Sequence, residues 1–455
     1  MSAGSSHFPS PSSAPALSPA RGAPDHPPRT LAGDLATRSG DDVLLQGWLH
    51  HQRQLKSVSF LLLRDRSGIA QIVVEDAASR ARLAALPHET VLAVRGRVVA
   101  SPQAPGGVEV HDPAIEVISA PVNEPPVELF RPVLQTQLAT RLDHAAVALR
   151  HPARAATQRL LGAALRGFRE TLTELGFTEI ATPKLLESAP EGGANVFTVD
   201  YFGRPAYLAQ SPQLYKQMMV GALERVFEVG PAFRAEPHDT SRHVSQFLSL
   251  DAELGFVRDH HDVMAVVREA LAGMMAAMAS VATPEPADLP PVPARIPEIH
   301  FAEALALVGA ALGQDLADEP DLAPEHERCL GEWAEREHGS AWLFVTGYPM
   351  RKRPFYTHPQ PDDPRWSNSF DLLFRGLEVI TGGQRLLRYD DYLVALAERD
   401  IAVEPFAGYL EAFGAGMPPH GGFALGVERL VRQIVGAPNV RDVTLFPRDL
   451  QRLAP

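Results

Sequence analysis

The sequence predicts an α+β protein: a small N-terminal β-barrel followed by a larger unit that mixes helices and strands. Short runs rich in Val, Leu and Ile recur between about residues 34 and 122, broken by turn residues such as Ser67-Gly68 and Pro105-Gly106-Gly107. That spacing is the pattern of a barrel of about five strands. A helical period follows from Ala153 to Leu175, where Leu160, Leu161, Leu165, Phe168, Leu172 and Leu175 recur every three or four residues and define one buried face. Beyond it, two segments stand out for chemistry rather than period. One is Phe233-Arg234-Ala235-Glu236 with Asp239-Thr240-Ser241-Arg242-His243 and Phe247, and the other is Gly421-Gly422-Phe423-Ala424-Leu425-Gly426-Val427-Glu428-Arg429.

A chain of 455 residues is long enough for two or three domains with separate cores. Its 45% hydrophobic content suits a soluble globular protein. No apolar run approaches the roughly 18 residues of a membrane span. The single cysteine, Cys329, excludes an internal disulfide and a cysteine-built zinc site, and fits a reducing, cytoplasmic compartment. A formal charge of −13 argues against a surface that grips nucleic acid all over, so any such binding rests on local patches.

In chain order, residues 1–32 are rich in Ser, Pro and Ala and bury too little to offset their ordering entropy, so a disordered tail is expected. Its prolines spoil a transit helix, and no apolar core follows a basic start. Residues 33–124 hold the barrel, with strands expected at Val43–His50, Ser57–Arg64, Ile69–Glu75, Thr90–Val99 and Val108–Ser119. His50 and His51 point to opposite faces of one strand and do not readily share an ion. Residues 125–152, with Pro125-Pro126 and Arg131-Pro132, read as a hinge. From 153 to 455 runs the larger domain: its first helix ends at Gly176, a strand continues to Pro183, and about 283–340 read as an insertion. His260-His261 and Glu325-His326-Glu327-Arg328 read as solvated helix surface.

A nucleotide bound without a Gly-x-x-x-x-Gly-Lys loop needs fixed cations for its phosphates and a flat apolar partner for its base. Arg234, Arg242, His243, Arg429 and Phe247 supply both. Asp371 and Glu378 are spaced so that a strand and a turn bring both carboxylates towards one Mg2+, which keeps most of its waters and takes other oxygens from phosphates.

The two chemical segments resemble the second and third signature motifs of class II aminoacyl-tRNA synthetases. The long helix, strand and Pro183 resemble the first, which forms the dimer interface in that family and so implies a homodimer. Gly47-Trp48-Leu49-His50, Arg53 and Phe60-Leu61-Leu62-Leu63-Arg64-Asp65 resemble the OB-fold of aspartyl-, asparaginyl- and lysyl-tRNA synthetases. That likeness implies anticodon contacts from Arg53 and Phe60, with the ring stacking on a base. Glu191-Gly192-Gly193-Ala194, Leu208-Ala209-Gln210-Ser211-Pro212-Gln213-Leu214-Tyr215-Lys216-Gln217 and the closing Phe446-Pro447-Arg448-Asp449 narrow the resemblance to aspartyl-tRNA synthetases of the archaeal and eukaryotic type.

The resemblance implies an OB-fold barrel joined to a catalytic domain built on an antiparallel sheet flanked by helices. It implies an aspartate–tRNA ligase that forms aspartyl-adenylate from L-aspartate and ATP and transfers it to tRNA(Asp). If the barrel reads only the shared anticodon letters, tRNA(Asn) is a second acceptor. ATP would meet Arg234, Glu236, Arg242, His243, Phe247, Glu378, Gly426 and Arg429, with Arg234 and Arg429 catalytic, and Mg2+ would lie at Asp371 and Glu378. Aspartate would meet Glu191, Gln213, Lys216 and Arg385, the last two forming a doubly cationic pocket for its side chain. Ala424, Gln246 and Leu386-Leu387-Arg388 depart from the family pattern around these pockets. Two other readings stay open: a tRNA-independent aspartyl-adenylate enzyme such as an asparagine synthetase, and a catalytically altered tRNA-binding paralogue.

Overall fold

Alternating apolar residues close the N-terminal unit into a barrel. The computed structural model describes residues 28–187, 195–237, 240–284 and 286–454, so most of the expected tail lies outside the described residues. Two units result, divided between Pro126 and Val127. In the first, β1 (Asp42–Gln54), β2 (Ser59–Arg64), β3 (Ile69–Val74), β4 (Val91–Ala100) and β5 (Val108–Ser119) close in the order β1-β2-β3-β5-β4. Val43 and Leu45 of β1 and Leu61 and Leu63 of β2 point inward at every second position, as a half-buried strand requires. Between β3 and β4, α1 (Ala77–Ala84) starts where Asp76 accepts the Ser79 N–H at 2.7 Å, and its Leu83 joins the core. The unit starts slightly earlier than expected, because the Thr30 N–H donates to the Leu44 carbonyl at 2.8 Å.

In the second unit, an eight-stranded sheet has the order β12-β13-β14-β15-β16-β11-β10-β6. Its strands are β6 (Thr178–Glu179), β10 (Arg225–Phe233), β11 (Gln246–Gly255), β12 (Glu298–His300), β13 (Trp342–Thr346), β14 (Ser369–Phe374), β15 (Leu377–Gln384) and β16 (His420–Gly426). A small sheet of β7 (Leu185–Leu186), β8 (Thr198–Tyr201) and β9 (Arg204–Leu208) stands beside it in the chain. The central strands pair antiparallel as expected, but the edge strands β6 and β12 pair parallel, so the sheet is mixed. The β14–β15 turn explains how Asp371 and Glu378 end on neighbouring strands. Its two loop residues, Arg375 and Gly376, both take positive φ (48° and 70°), the geometry that matches a two-residue hairpin to strand twist.

The expected hinge contains α2 (Leu138–Asp143) and α3 (Ala145–Ala148) and is tied into the second unit. Val127, Leu129 and Ala148 share a small core, and Arg141 Nη2 meets Asp442 Oδ1 at 2.6 Å. The amphipathic helix α4 (Pro152–Glu174) places Phe168 against Phe227 and Phe423 of the sheet, with ring centroids 5.8 and 6.3 Å apart. The remaining helices are α5 (Gln213–Leu223), α6 (His260–Ala279), α7 (Phe301–Leu312), α8 (Pro324–His338), α9 (Tyr389–Ala397), α10 (Ala407–Gly414) and α11 (Val427–Ile434). The passage expected as an insertion is integral to the sheet. β12 extends its edge, and α7 and α8 share a core with β13 through Phe301, Leu305, Leu330 and Leu343.

Gly422 is a close approach that only glycine permits, since a Cβ there would lie 2.0 Å from Glu253 Oε2 and 2.2 Å from the Ala252 carbonyl. Gly422→Ala should therefore destabilise the protein by about 1–3 kcal/mol through overpacking. Urea denaturation checks this, and an unchanged midpoint would refute it.

Candidate active site

β10 ends at Phe233 and β11 begins at Gln246, so the loop between them carries Arg234, Glu236, Arg242 and His243 to the mouth of the sheet. At the same end β16 runs into α11 and delivers Gly426 and Arg429. These residues, with Phe247 and Glu378, line a single cleft, so every residue expected at ATP is brought together. The Arg234 guanidinium lies 5.3 Å from the centre of the Phe247 ring and 3.8 Å from Glu236. Arg429 Nη1 is 3.3 Å from the Glu378 carbonyl and 3.6 Å from its carboxylate. Arg242 is already gripped at both nitrogens by Glu327, at 2.9 and 3.3 Å.

Glu327 is a site residue that sequence reading placed on a solvated surface. It is 6% exposed and also accepts the Glu378 N–H at 3.2 Å. The expectation fails because α8 buries the face bearing His326, Glu327 and Leu330 while Glu325 and Arg328 stay exposed. His326 is buried and its Nδ1 takes the Ala323 N–H at 3.0 Å, closing the first turn of α8. His260 is buried too, whereas His261 is exposed as expected. Among the described residues, the three-residue group with metal-like spacing is Asp259, His260 and His261, where Asp259 is engaged in capping α6 through the His261 N–H at 2.8 Å.

Asp371 is buried and accepts from Arg353 Nη2 at 3.0 Å, and that guanidinium lies over the Tyr348 ring at 4.0 Å. Glu378 lines the cleft with 38% of its side chain exposed, so the burial acting on its carboxyl is partial. Burial, with Asp371 and Glu327 nearby and against Arg429, pushes its carboxyl up to about 7. Crowded carboxylate oxygens are the donor chemistry that suits a hard divalent cation, although Asp371 would have to share its oxygens with Arg353.

The described residues expected at aspartate fall in a second, buried polar cluster. Gln213 and Lys216 come from the first turn of α5, Asp251 and Glu253 from β11, and Arg385 from the end of β15. Lys216 Nζ sits 3.0 Å from Asp251 Oδ1, 3.0 Å from the Phe423 carbonyl and 3.4 Å from Glu253 Oε2. Arg385 forks onto both oxygens of Glu253 at 2.8 and 3.2 Å and reaches Gln213 Oε1 at 3.4 Å. Burial raises the Glu253 carboxyl, but Arg385 and Lys216 outweigh it and hold the group below the usual range. The pocket is therefore not doubly cationic, because two buried acids balance its two cations. Leu250-Asp251-Ala252-Glu253-Leu254 resembles the strand that carries acidic residues into the family's site, but the sequence named no partner for Asp251 or Glu253. Glu191 lies outside the described residues.

Of the departures, Ala424 lines the same cleft as Arg234 and Arg429, while Gln246 lines a different cavity beside Leu445 and Phe446. Leu386 is buried in an apolar cluster with Phe355, Tyr356 and Tyr392. In the barrel, Arg53 and Phe60 are direct cross-strand partners of β1 and β2. Phe60 is half-buried between the inward-pointing Ser59 and Leu61, so it belongs to the outer face and not the core. A cavity of about 1160 Å³ between residues 288–298 and α8 is lined by none of the expected site residues.

The family described as class II tRNA synthetases (D, K and N) matches residues 137–450, and an OB-fold nucleic acid binding domain matches residues 43–118. The chain belongs to the class II aminoacyl-tRNA synthetases of this D, K and N group. An aspartate–tRNA(Asp/Asn) ligase of Thermus thermophilus is 46% identical, covering 94% of this chain and 100% of its own. That of Deinococcus radiodurans is 44% identical over 94% and 99% of the two chains. An aspartate–tRNA(Asp) ligase of Thermoplasma volcanium is 37% identical over 94% and 100%. Among solved structures, the asparaginyl-tRNA synthetase of Pyrococcus horikoshii with asparaginyl-adenylate gives a TM-score of 0.87 at 31% identity, covering 94% of this chain and 100% of that one. A putative aspartyl-tRNA synthetase of Leishmania major gives 0.84 at 27% identity, covering 97% of each. As a class II synthetase the protein is an aminoacyl-tRNA ligase with ATP as a substrate.

Within this synthetase, Glu428 of the third motif accepts the Leu248 N–H at 2.9 Å through Oε1, while Oε2 is buried with no hydrogen-bond partner among the described residues. Burial, partly offset by that bond, pushes its carboxyl up to about 7. A carboxyl raised on folding costs nothing below its unfolded value near pH 4.5, removes stability as pH climbs from there to about 7, and removes no more above that. Glu428→Gln should flatten that loss by roughly 3 kcal/mol between about pH 5 and about pH 8. Urea denaturation at the two pH values measures it, and equal slopes for both proteins would contradict it.

Proposed function

We propose that this synthetase is an aspartate–tRNA ligase that charges both tRNA(Asp) and tRNA(Asn). The observation that carries the reading is a buried cluster whose cations, Lys216 and Arg385, can only donate, together with a cleft lined by Arg234, Phe247 and Arg429. A side-chain carboxylate accepts from such donors. An asparagine amide turned the wrong way would face donor with donor, an error that buried sites reject strongly. The fold alone does not choose between the two amino acids, since both asparaginyl and aspartyl enzymes superpose on it.

In the first step the aspartate α-carboxylate attacks the α-phosphorus of ATP, and pyrophosphate leaves. Arg234 donates to the charge that builds on the α-phosphoryl oxygens, Phe247 offers its face to the adenine, and Arg429 holds the distal phosphate. Glu378, with Asp371, would hold Mg2+, which supplies charge neutralisation for the phosphates when bound. In the second step a ribose hydroxyl at the tRNA 3′ end attacks the adenylate carbonyl and AMP departs, a step that positioning alone can support.

Arg53 and Phe60 present a cation and a ring side by side on one barrel face, suited to a phosphate and an unstacked base. A tRNA-independent ligase would leave that barrel without a role. The wider acceptor range is supported by the relatives at 46% and 44% identity, whose names cover both tRNAs. A homodimer through α4 and β6, and a cytoplasmic setting, complete the reading. Among the described residues, no helix is long and apolar enough to cross a membrane.

Arg234→Ala and Arg429→Ala should remain folded and lose roughly 10²–10³-fold in aspartate-dependent ATP–pyrophosphate exchange. Near-normal exchange in either would reject its role. Phe60→Ala should weaken charging of purified tRNA(Asp) and tRNA(Asn) alike, by about 1–3 kcal/mol, and leave tRNA-independent exchange intact. Charging of tRNA(Asp) alone by the wild type would confine the enzyme to one acceptor.

A further inference from the structure

Behind the amino-acid pocket lies a chain of buried polar side chains that the two steps above do not use. At its centre is Gln217, fully buried on α5 one turn beyond Gln213. Three neighbours from three other segments fix which way its amide points. His420 Nδ1 lies 3.0 Å from the Pro418 carbonyl and must donate to it, which leaves His420 Nε2, 3.1 Å from Gln217 Nε2, as an acceptor. The Tyr392 hydroxyl donates to the Leu386 carbonyl at 2.9 Å, so towards Gln217 Nε2 at 3.2 Å it also accepts. The Tyr409 hydroxyl donates to Gln217 Oε1 at 3.1 Å. Gln217 therefore has one satisfied orientation: Nε2 towards Tyr392 and His420, Oε1 towards Tyr409 and Gln213.

That orientation passes on. Gln213 Nε2 donates to Gln217 Oε1 at 3.0 Å, which turns the Gln213 carbonyl oxygen to the pocket side, where it meets Arg385 Nη2 at 3.4 Å. Were Gln213 to flip, its oxygen would face the Gln217 oxygen, and its NH₂ would face the Arg385 guanidinium. Both contacts would be mismatched, so the amide assignment follows from the neighbours.

We propose that Gln217 is a positioning residue for aspartate recognition: held by Tyr392, Tyr409 and His420, it locks the Gln213 amide so that its carbonyl oxygen stands ready to accept from the α-ammonium group of the substrate. The inference rests on the aspartate-pocket reading. The 3.4 Å contact to Arg385 is long, so this oxygen keeps a lone pair for a stronger donor. A Gln213 free to flip would instead present an NH₂ group to the ammonium. Gln217 itself touches no substrate and acts through Gln213, so its removal should impair aspartate binding and spare ATP binding.

The test is ATP–pyrophosphate exchange with the full-length wild type, Gln217→Met, Gln213→Ala and the double variant. Gln217→Met should raise the KM for aspartate at least about tenfold while kcat and the KM for ATP stay within about threefold, and the double variant should match Gln213→Ala within about twofold. An aspartate KM within about twofold of wild type in Gln217→Met, or losses that multiply in the double variant, would overturn the relay. If Gln217→Met does not fold, Tyr409→Phe removes a single hydroxyl from the same chain. It should raise the aspartate KM about threefold, and an unchanged KM would overturn the relay equally. A wild type whose exchange ignores aspartate would overturn the pocket reading, and the relay with it.

Discussion

Lys216, Arg385, Asp251 and Glu253 are buried together, and none of them could be buried alone. Removing one partner of such a set leaves an uncompensated charge at a cost of about 3–5 kcal/mol, far more than a surface ion pair is worth. Their contacts demand that α5 dock on β11, that β15 end beside it, and that β16 pass close enough for Glu253 to lie over the Gly422 backbone. The strand order around β11 and the shape of the amino-acid pocket are therefore one constraint. Gln213, Gln217 and His420 then pack against this cluster as neutral, oriented groups.

The cleft and the buried cluster differ in exposure, and the difference suits the tasks proposed for them. Arg234 at the nucleotide cleft keeps 44% of its side chain exposed, whereas Lys216 keeps 1%. Triphosphate is strongly hydrated and enters with its own charge, so an accessible guanidinium can meet it without a large desolvation penalty. Telling a carboxylate from an amide of nearly the same size calls for a dry pocket, where an unmatched donor is costly. Glu327 bridges the cleft to the rest of the fold, since it pins Arg242 and the Glu378 backbone at once.

Much of this was legible in the chain. The barrel strands followed from alternation and turn residues. That Arg234, Arg242, His243, Phe247 and Arg429 share one cleft followed from residue types with few other uses in that arrangement, and the placing of Asp371 and Glu378 on adjoining strands followed from strand-and-turn spacing. Glu327 escaped because helical period assigns a residue to a face but names no partner, and a charged first turn of a helix reads as surface. Asp251 and Glu253 were legible as acids that a strand carries towards the site, but their pairing with Lys216 and Arg385 was not, because it joins residues far apart in the chain. The passage around β12, α7 and α8 read as an insertion because a Pro-rich stretch hides an edge strand of three residues. The hinge looked like a linker because Arg141 and Asp442 are joined across most of the chain, a pairing no local pattern reveals.

On the reading proposed, the buried donors of Lys216 and Arg385, held in place by Asp251 and Glu253, select aspartate. The most direct test is wild-type ATP–pyrophosphate exchange with aspartate and with asparagine, each without tRNA, compared as kcat/KM. The account predicts a preference for aspartate of at least about 10³-fold, as expected when a wrong substrate leaves buried polar groups unmatched. Equal use of the two amino acids, or a preference for asparagine, would contradict it.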